Sequence, residues 1–237
     1  MIIDMLAHIG IKKGEDYKVE SLLEIMDEAK VDKCMICSQL ETIDNKYIHE
    51  CYEKYPDKTI GFAVINPWDI GAEEELEKCF KDWGFMGLKM NAIRYGYSAD
   101  RHSVLDPFFE LCKKYNKCVV AHGQSDQFSL PDKWAEMAKS YPDVPVVLFH
   151  IGVPMMYERA CELARDIPNL YLSTCGSYVP VIKMAYEIAG PEKILFSSDA
   201  PFGDMIQEIE KIKYVVKDQK HLDMILGGNA MRIMGQK

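Results

Sequence analysis

The chain has 237 residues, 48% of them hydrophobic, and a net charge of −9, which suits one α/β barrel around a large core. The acidic balance and the lack of a Lys/Arg cluster argue against nucleic acid or an anionic membrane as a partner. No apolar run approaches the roughly 20 residues that span a bilayer, and the opening residues carry no basic or cleavable leader pattern, so a soluble, cytoplasmic protein is expected.

In chain order, the first predicted strand is MIIDML, running to His8. Residues two apart on a strand share a face, so Asp4, Leu6 and His8 are expected to point the same way. Val19, Leu22, Leu23, Ile25 and Met26 then fall at helical spacing. KCMIC is the second strand. Its Cys34 and Cys37 fall on opposite faces and cannot chelate one ion, and the other cysteines are scattered through apolar segments. Neither disulfides nor a structural zinc site is expected. TIGFAVI, running into Asn66, is the third strand, and AEEELEKCFKDW follows as a helix with an acidic first turn. MGLKM, the fourth strand, carries Lys89 and leads into a loop with Arg94 and Tyr95. The helix VLDPFFELCKKY precedes KCVVAH, which ends at His122, and LPDKWAEMAKSY precedes VPVVLFH, which ends at His150. MMYERACELARD, the strand LYLST and YVPVIKMAYEIAG lead to KILFSSD, which ends at Asp199, and to a last long helix, DMIQEIEKIKYVV. The closing KHLDMILGGNAMRIMGQK reads as a helix pair on the outside or bottom of the fold. Eight alternating strands and helices predict a mostly parallel sheet closed into a (β/α)8 TIM barrel, one domain over 1–237. An open doubly wound sheet is the alternative; the count of eight and the polar strand ends favour the barrel.

Catalytic groups of a parallel barrel come from the C-terminal ends of its strands. His8, His122, His150 and Asp199 stop strands and are expected on one rim, with Lys89 nearby. His49, His102 and His221 fall in helical or loop contexts and read as solvated surface residues. Taken singly, a histidine there serves as a rim hydrogen bond, Lys89 as a salt bridge and Asp199 as a helix cap. Taken together, neutral imidazoles with one carboxylate are the usual set for zinc or iron, with one position open to water.

The phrases IIDMLAHIG, GFAVINPWD, MGLKMN, VVAHGQ, PVVLFHIG, NLYLSTCG, KILFSSDAPFGD and ILGGNAMRIMG resemble the amidohydrolase superfamily over nearly the whole chain. The likeness is to the amidohydrolase-related branch with the aminocarboxymuconate-semialdehyde decarboxylase-like proteins. The resemblance implies a distorted barrel with a divalent metal, zinc-like, at the strand C-termini. It implies that His8 is the second histidine of a strand-one His-x-His, that His122 is the strand-five ligand, and that Asp199 is the strand-eight aspartate, which binds metal, takes a proton from metal-bound water, or does both. It makes His150 the strand-six histidine, a second-metal ligand in binuclear members and an acid/base or substrate-polarising group in mononuclear ones. Lys89 falls near a strand-four lysine that is carboxylated in one binuclear subgroup. Leu6 stands where the first histidine is expected. A leucine cannot bind metal, so affinity should be low or lost.

The leading expectation is a metal-dependent hydrolase of a small amide, ester or lactone. His8, His122 and Asp199 would hold the metal, Asp199 and His150 would act in catalysis, and Lys89, Arg94 and Tyr95 are candidates for gripping the substrate. Loop packing is the other role for Arg94 and Tyr95. A non-oxidative decarboxylase on the same scaffold is the second reading. A non-catalytic or metal-free binding barrel, favoured by Leu6, is the third. The expected partner is a small molecule, and a homo-oligomer stays open.

Overall fold

The computed structural model describes residues 1–235. Nine strands form one sheet there: β1 (Ile3–Lys12), β2 (Glu15–Tyr17), β3 (Lys33–Ser38), β4 (Thr59–Val64), β5 (Gly87–Met90), β6 (Cys118–His122), β7 (Val146–Phe149), β8 (Leu170–Ser173) and β9 (Ile194–Leu195). They run β2-β1-β3-β4-β5-β6-β7-β8-β9. Only the β1–β2 pair is antiparallel. The chain beyond β9 closes the ring: Met5 N donates to Phe196 O (3.1 Å), Asp199 N to Leu6 O (3.0 Å) and His8 N to Ala200 O (2.8 Å). Eight parallel strands thus form the expected (β/α)8 barrel.

β1 departs from its sequence reading in two ways. It does not stop at His8 but runs to Lys12 and turns back into β2 through Lys13 and Gly14, both at positive φ, as a two-residue hairpin requires. It also carries a bulge, because Asp4 pairs with Cys34 whereas Ala7 pairs with Ile36, which leaves one extra residue in β1. Cys34 and Ile36 face the helices, so Asp4 and Ala7 do too. Asp4 therefore does not share a face with His8. Met5 and Leu6, at the bulge, both pack into the barrel interior with Met35, Cys37 and Phe62.

The helices Val19–Ala29, Ala72–Lys81, His102–Tyr115, Pro131–Ser140, Tyr157–Asp166, Val179–Ile188 and Met205–Val215 follow the predicted segments. A further helix, Asn45–Lys54, is capped by Asp44, whose carboxylate accepts from Tyr47 N at 2.9 Å. Its mostly polar sequence hides the apolar stripe of Ile48 and Cys51. The closing segment is less a pair than one winding rod, Gln219–Asp223, Met224–Gly228 and Asn229–Ile233. Phe196 N donates to Ile225 O, and Ala230, Ile233 and Met234 join the interior cluster, so this rod plugs the barrel bottom. Residues 236 and 237 of that expected segment lie outside the described residues.

All eight cysteines are buried free thiols, with Cys34 toward the helices and Cys37 inside. No described helix is long and apolar enough to cross a membrane. Packing inside the barrel is tight at Gly87, where an added Cβ would meet the Phe62 ring and lie 2.7 Å from Cys118 O. Gly87→Ala is expected to cost about 3 kcal/mol through overpacking against backbone that cannot move aside. Urea unfolding of the two proteins checks this; equal midpoints would contradict it.

Candidate active site

Five of the residues singled out from sequence converge on one end of the barrel. His8 lies on β1 and is 6% exposed. Its Nδ1 stands 3.1 Å from the Ser38 carbonyl oxygen. A carbonyl only accepts, so Nδ1 carries the hydrogen and Nε2 keeps its lone pair. That Nε2 lies 3.6 Å from Asp199 Oδ1. His150 begins a single turn directly after β7, and its Nδ1 lies 3.0 Å from Cys175 O, which leaves its Nε2 bare by the same logic. His122 ends β6 and meets the His150 ring edge-on, with centroids 5.0 Å apart.

The backbone that presents these groups is unusual. His150 (φ 69°), Ile151 (φ 46°) and Asp199 (φ 62°) sit in the left-handed region, which costs side-chain-bearing residues about 1–3 kcal/mol each and gathers at functional sites. Asp199 is held there by backbone bonds alone: its N–H donates to Leu6 O, and its carbonyl accepts from Phe202 N and Gly203 N. Its side chain stays free for the mouth.

Lys89, on β5, is 2% exposed. Its Nζ lies 4.3 Å from the centre of the Phe149 ring. The ionisable groups that favour its charged form are Cys37, Asp199 and Cys175. Burial is the leading influence on every titratable group of the mouth. It lowers His8 to about 4 and His122 to about 3. It lowers His150 and Lys89 and raises Asp199, with the His150 and Lys89 charges opposing the last shift. The three imidazoles are thus neutral near pH 7.

Sequence reasoning missed two neighbours. Cys37 Sγ lies 3.3 Å from His8 Nδ1, and Cys175 Sγ lies 3.6 Å from His150 Nδ1. The only signal for Cys37 was its place one strand over from His8, visible once the register is known. Arg94 and Tyr95 both have partners within the chain. Arg94 is half exposed and pairs with Glu41 at 3.7 Å. The Tyr95 hydroxyl donates to Leu40 O, and its carbonyl accepts from Trp68 Nε1. His49, His102 and His221 are not simply solvated. His49 stacks on Trp83, His102 Nδ1 lies 2.7 Å from Asp106, and His221 Nδ1 lies 2.7 Å from the Tyr186 hydroxyl.

Asp4 serves the site from behind. Its Oδ1 accepts from Leu6 N (3.0 Å) and Ser198 N (2.9 Å), tying the bulge to the segment that carries Asp199. Among the described residues its Oδ2 has no partner. Burial pushes its carboxyl from 3.8 up to about 7, against the hydrogen bonds from Ser198 and Leu6. A raised folded-state pKa means stability that is complete below the unfolded pKa and lost as pH rises through the folded one. From about pH 4 to about pH 8, the wild type is expected to lose on the order of 4 kcal/mol relative to Asp4→Asn. Urea unfolding of both proteins across that range reads the difference; parallel profiles would contradict it.

A closed (β/α)8 barrel with imidazoles, a carboxylate and an ammonium gathered at the C-terminal ends of its strands has the architecture of a barrel enzyme. The chain belongs to the amidohydrolase family, a family of enzymes, whose model matches residues 25–236; β1 lies ahead of the match. It is 25% identical over 215 residues to a gamma-resorcylate decarboxylase of Polaromonas sp. (strain JS666 / ATCC BAA-500), covering 67% of this chain and 64% of that relative's length. Among solved structures it is similar to 5-carboxyvanillate decarboxylase from Sphingomonas paucimobilis, with a TM-score of 0.80 and 16% identity over 100% of this chain and 99% of that one. A dihydroxybenzoic acid decarboxylase from Polaromonas sp. JS666 with bound manganese superposes equally well, with a TM-score of 0.80 and 17% identity over 99% of this chain and 96% of that one.

The donor set here does not fit a metal ion. Among the described residues, no three His, Cys, Asp or Glu side chains gather as a group able to hold one. Leu6, in the strand-one position where the resemblance expects a histidine, is 1% exposed inside the barrel. The Lys89 ammonium, in its charged form, acts on His8, His122, His150 and Asp199 alike, and a metal ion bound among them would draw it further from that form, since one cation opposes a second.

Proposed function

We propose that this protein is a non-oxidative decarboxylase of a small carboxylic acid, aromatic or conjugated, bearing a hydroxyl group. Sequence alone put hydrolysis first. Relatives named as decarboxylases, in sequence as well as in fold, move decarboxylation ahead of it. In finer detail, the chain reads as an aminocarboxymuconate-semialdehyde decarboxylase-like member whose strand-one His-x-His has become Leu6 and His8. The observation that carries the reading is the contact of Asp199 Oδ1 with His8 Nε2 at 3.6 Å, in a mouth whose other imidazoles are neutral.

Losing carbon dioxide from a ring or enoate carbon requires a proton for that carbon and an outlet for charge on the substrate hydroxyl. Asp199, whose carboxyl pKa is raised by burial, is the proton donor; His8 Nε2, 3.6 Å from Asp199 Oδ1, keeps a lone pair facing the protonated form. His150 Nε2 takes the proton of the substrate hydroxyl, which pushes electrons toward the carbon that Asp199 protonates. The bond to the carboxyl carbon then breaks, its electron pair returns to the ring, and carbon dioxide leaves. Below the mouth the barrel interior is filled by apolar side chains, Phe149, Val147 and Val120 among them.

Incubation with hydroxybenzoic acids on one side and with esters, amides and lactones on the other tests the reading. Carbon dioxide release from the acids is expected. Turnover confined to esters, amides or lactones would restore the hydrolase, and no turnover of either set would favour a binding barrel.

A further inference from the structure

We infer that Lys89 supplies the positive charge on which this mouth binds the carboxylate of its substrate, in place of a metal ion. The inference rests on the decarboxylase reading and specifies how the acid is held.

A buried ammonium is costly unless an anion or several acceptors meet it. Among the described residues, no carboxylate lies within ion-pair distance of Lys89 Nζ. Asp199 Oδ1 is directed at His8 instead. The two thiols beside the site do not supply the charge, since burial pushes Cys37 up to about 12 and Cys175 higher still. The Phe149 ring face, 4.3 Å away, offsets part of the desolvation cost, as ring faces do for cations, but neutralises nothing. The mouth therefore holds, above an apolar floor, an amine with no anion beside it, whose charged form burial disfavours and an arriving anion would favour. What it lacks is one anion, and a carboxylate meets an ammonium through short, charge-assisted hydrogen bonds. The same charge, with Leu6 in β1, explains why the imidazoles and Asp199 do not assemble as metal ligands: the cation is built into the chain.

Calorimetric binding of salicylate, benzoate and the neutral isostere benzamide, all in excess chelator, tests this. Wild type is expected to hold benzoate at least 10-fold more tightly than benzamide. Lys89→Met should weaken salicylate and benzoate at least 10-fold and leave benzamide within 2-fold, while Lys89→Arg should recover part of the loss. Should the variants fail to fold, the benzoate–benzamide comparison in wild type stands alone. Equal affinity for the anion and its isostere, unaltered anion binding in folded Lys89→Met, no anion binding at all, or binding that appears only with added manganese or zinc would each overturn the inference. Carbon dioxide release is read separately. Anion binding through Lys89 without carbon dioxide release would sink the decarboxylase reading and keep this one; release that depends on metal would do the reverse.

Discussion

Asp199→Asn is expected to lower carbon dioxide release about 1,000-fold while leaving the fold intact. A carboxamide has no proton to give to carbon, and general acid catalysis contributes about 10²–10⁴-fold. The backbone bonds that hold residue 199, to Leu6 O and from Phe202 N and Gly203 N, do not involve its side chain. Its φ of 62° is one that asparagine adopts readily. Thermal unfolding should thus stay near the wild-type midpoint while initial rates collapse. A folded variant retaining a tenth or more of the rate would remove Asp199 as the proton donor.

Leu6→His is expected to convert the mouth toward metal binding. The side chain at position 6 lies inside the barrel, two residues from His8, so a histidine there adds a third imidazole to those of His8 and His122. Neutral imidazole is a good zinc ligand near pH 7. Changes around metal ligands commonly move affinity about 10–100-fold, and supplying a whole ligand should do at least as much. Lys89→Met in the same chain should tighten binding again by removing the opposing charge. Zinc titration by calorimetry of wild type, Leu6→His and the double variant measures both steps. Wild-type affinity equal to that of Leu6→His would show that position 6 does not govern the metal. The new ring also enters an apolar wall, and an unsatisfied nitrogen there costs about 1–3 kcal/mol, so a modest fall in melting temperature accompanies the gain.

Most of the barrel was legible because its elements obey simple periods. Continuous apolar runs such as VPVVLFH mark strands buried on both faces, and the stripe Leu76, Cys79, Phe80 marks a helix against them. His122, His150 and Asp199 were legible as a set because each ends such a run. Strand one misled, since alternation assumes a regular pleat. One extra residue between Asp4 and Ala7 moved Asp4 off the face of His8 and made it a brace behind the site. The hairpin through Lys13 and Gly14 was missed because β2 is three charged or polar residues with no apolar alternation. Arg94 and Tyr95 looked like ligand grips by residue type, yet Glu41 and Leu40 O, distant in sequence, engage them. Hydrolysis and decarboxylation use the same residue types at the same strand ends, so composition and spacing could not separate them.

Decarboxylation at this mouth is tested most directly by following a panel of hydroxybenzoic acids, labelled at the carboxyl carbon, with wild-type protein in heavy water. Labelled carbon dioxide and a product carrying one deuteron at the vacated ring carbon are expected, both lost in Asp199→Asn. Intact labelled acids across the whole panel, with esters or lactones hydrolysed by the same preparation, would contradict the account.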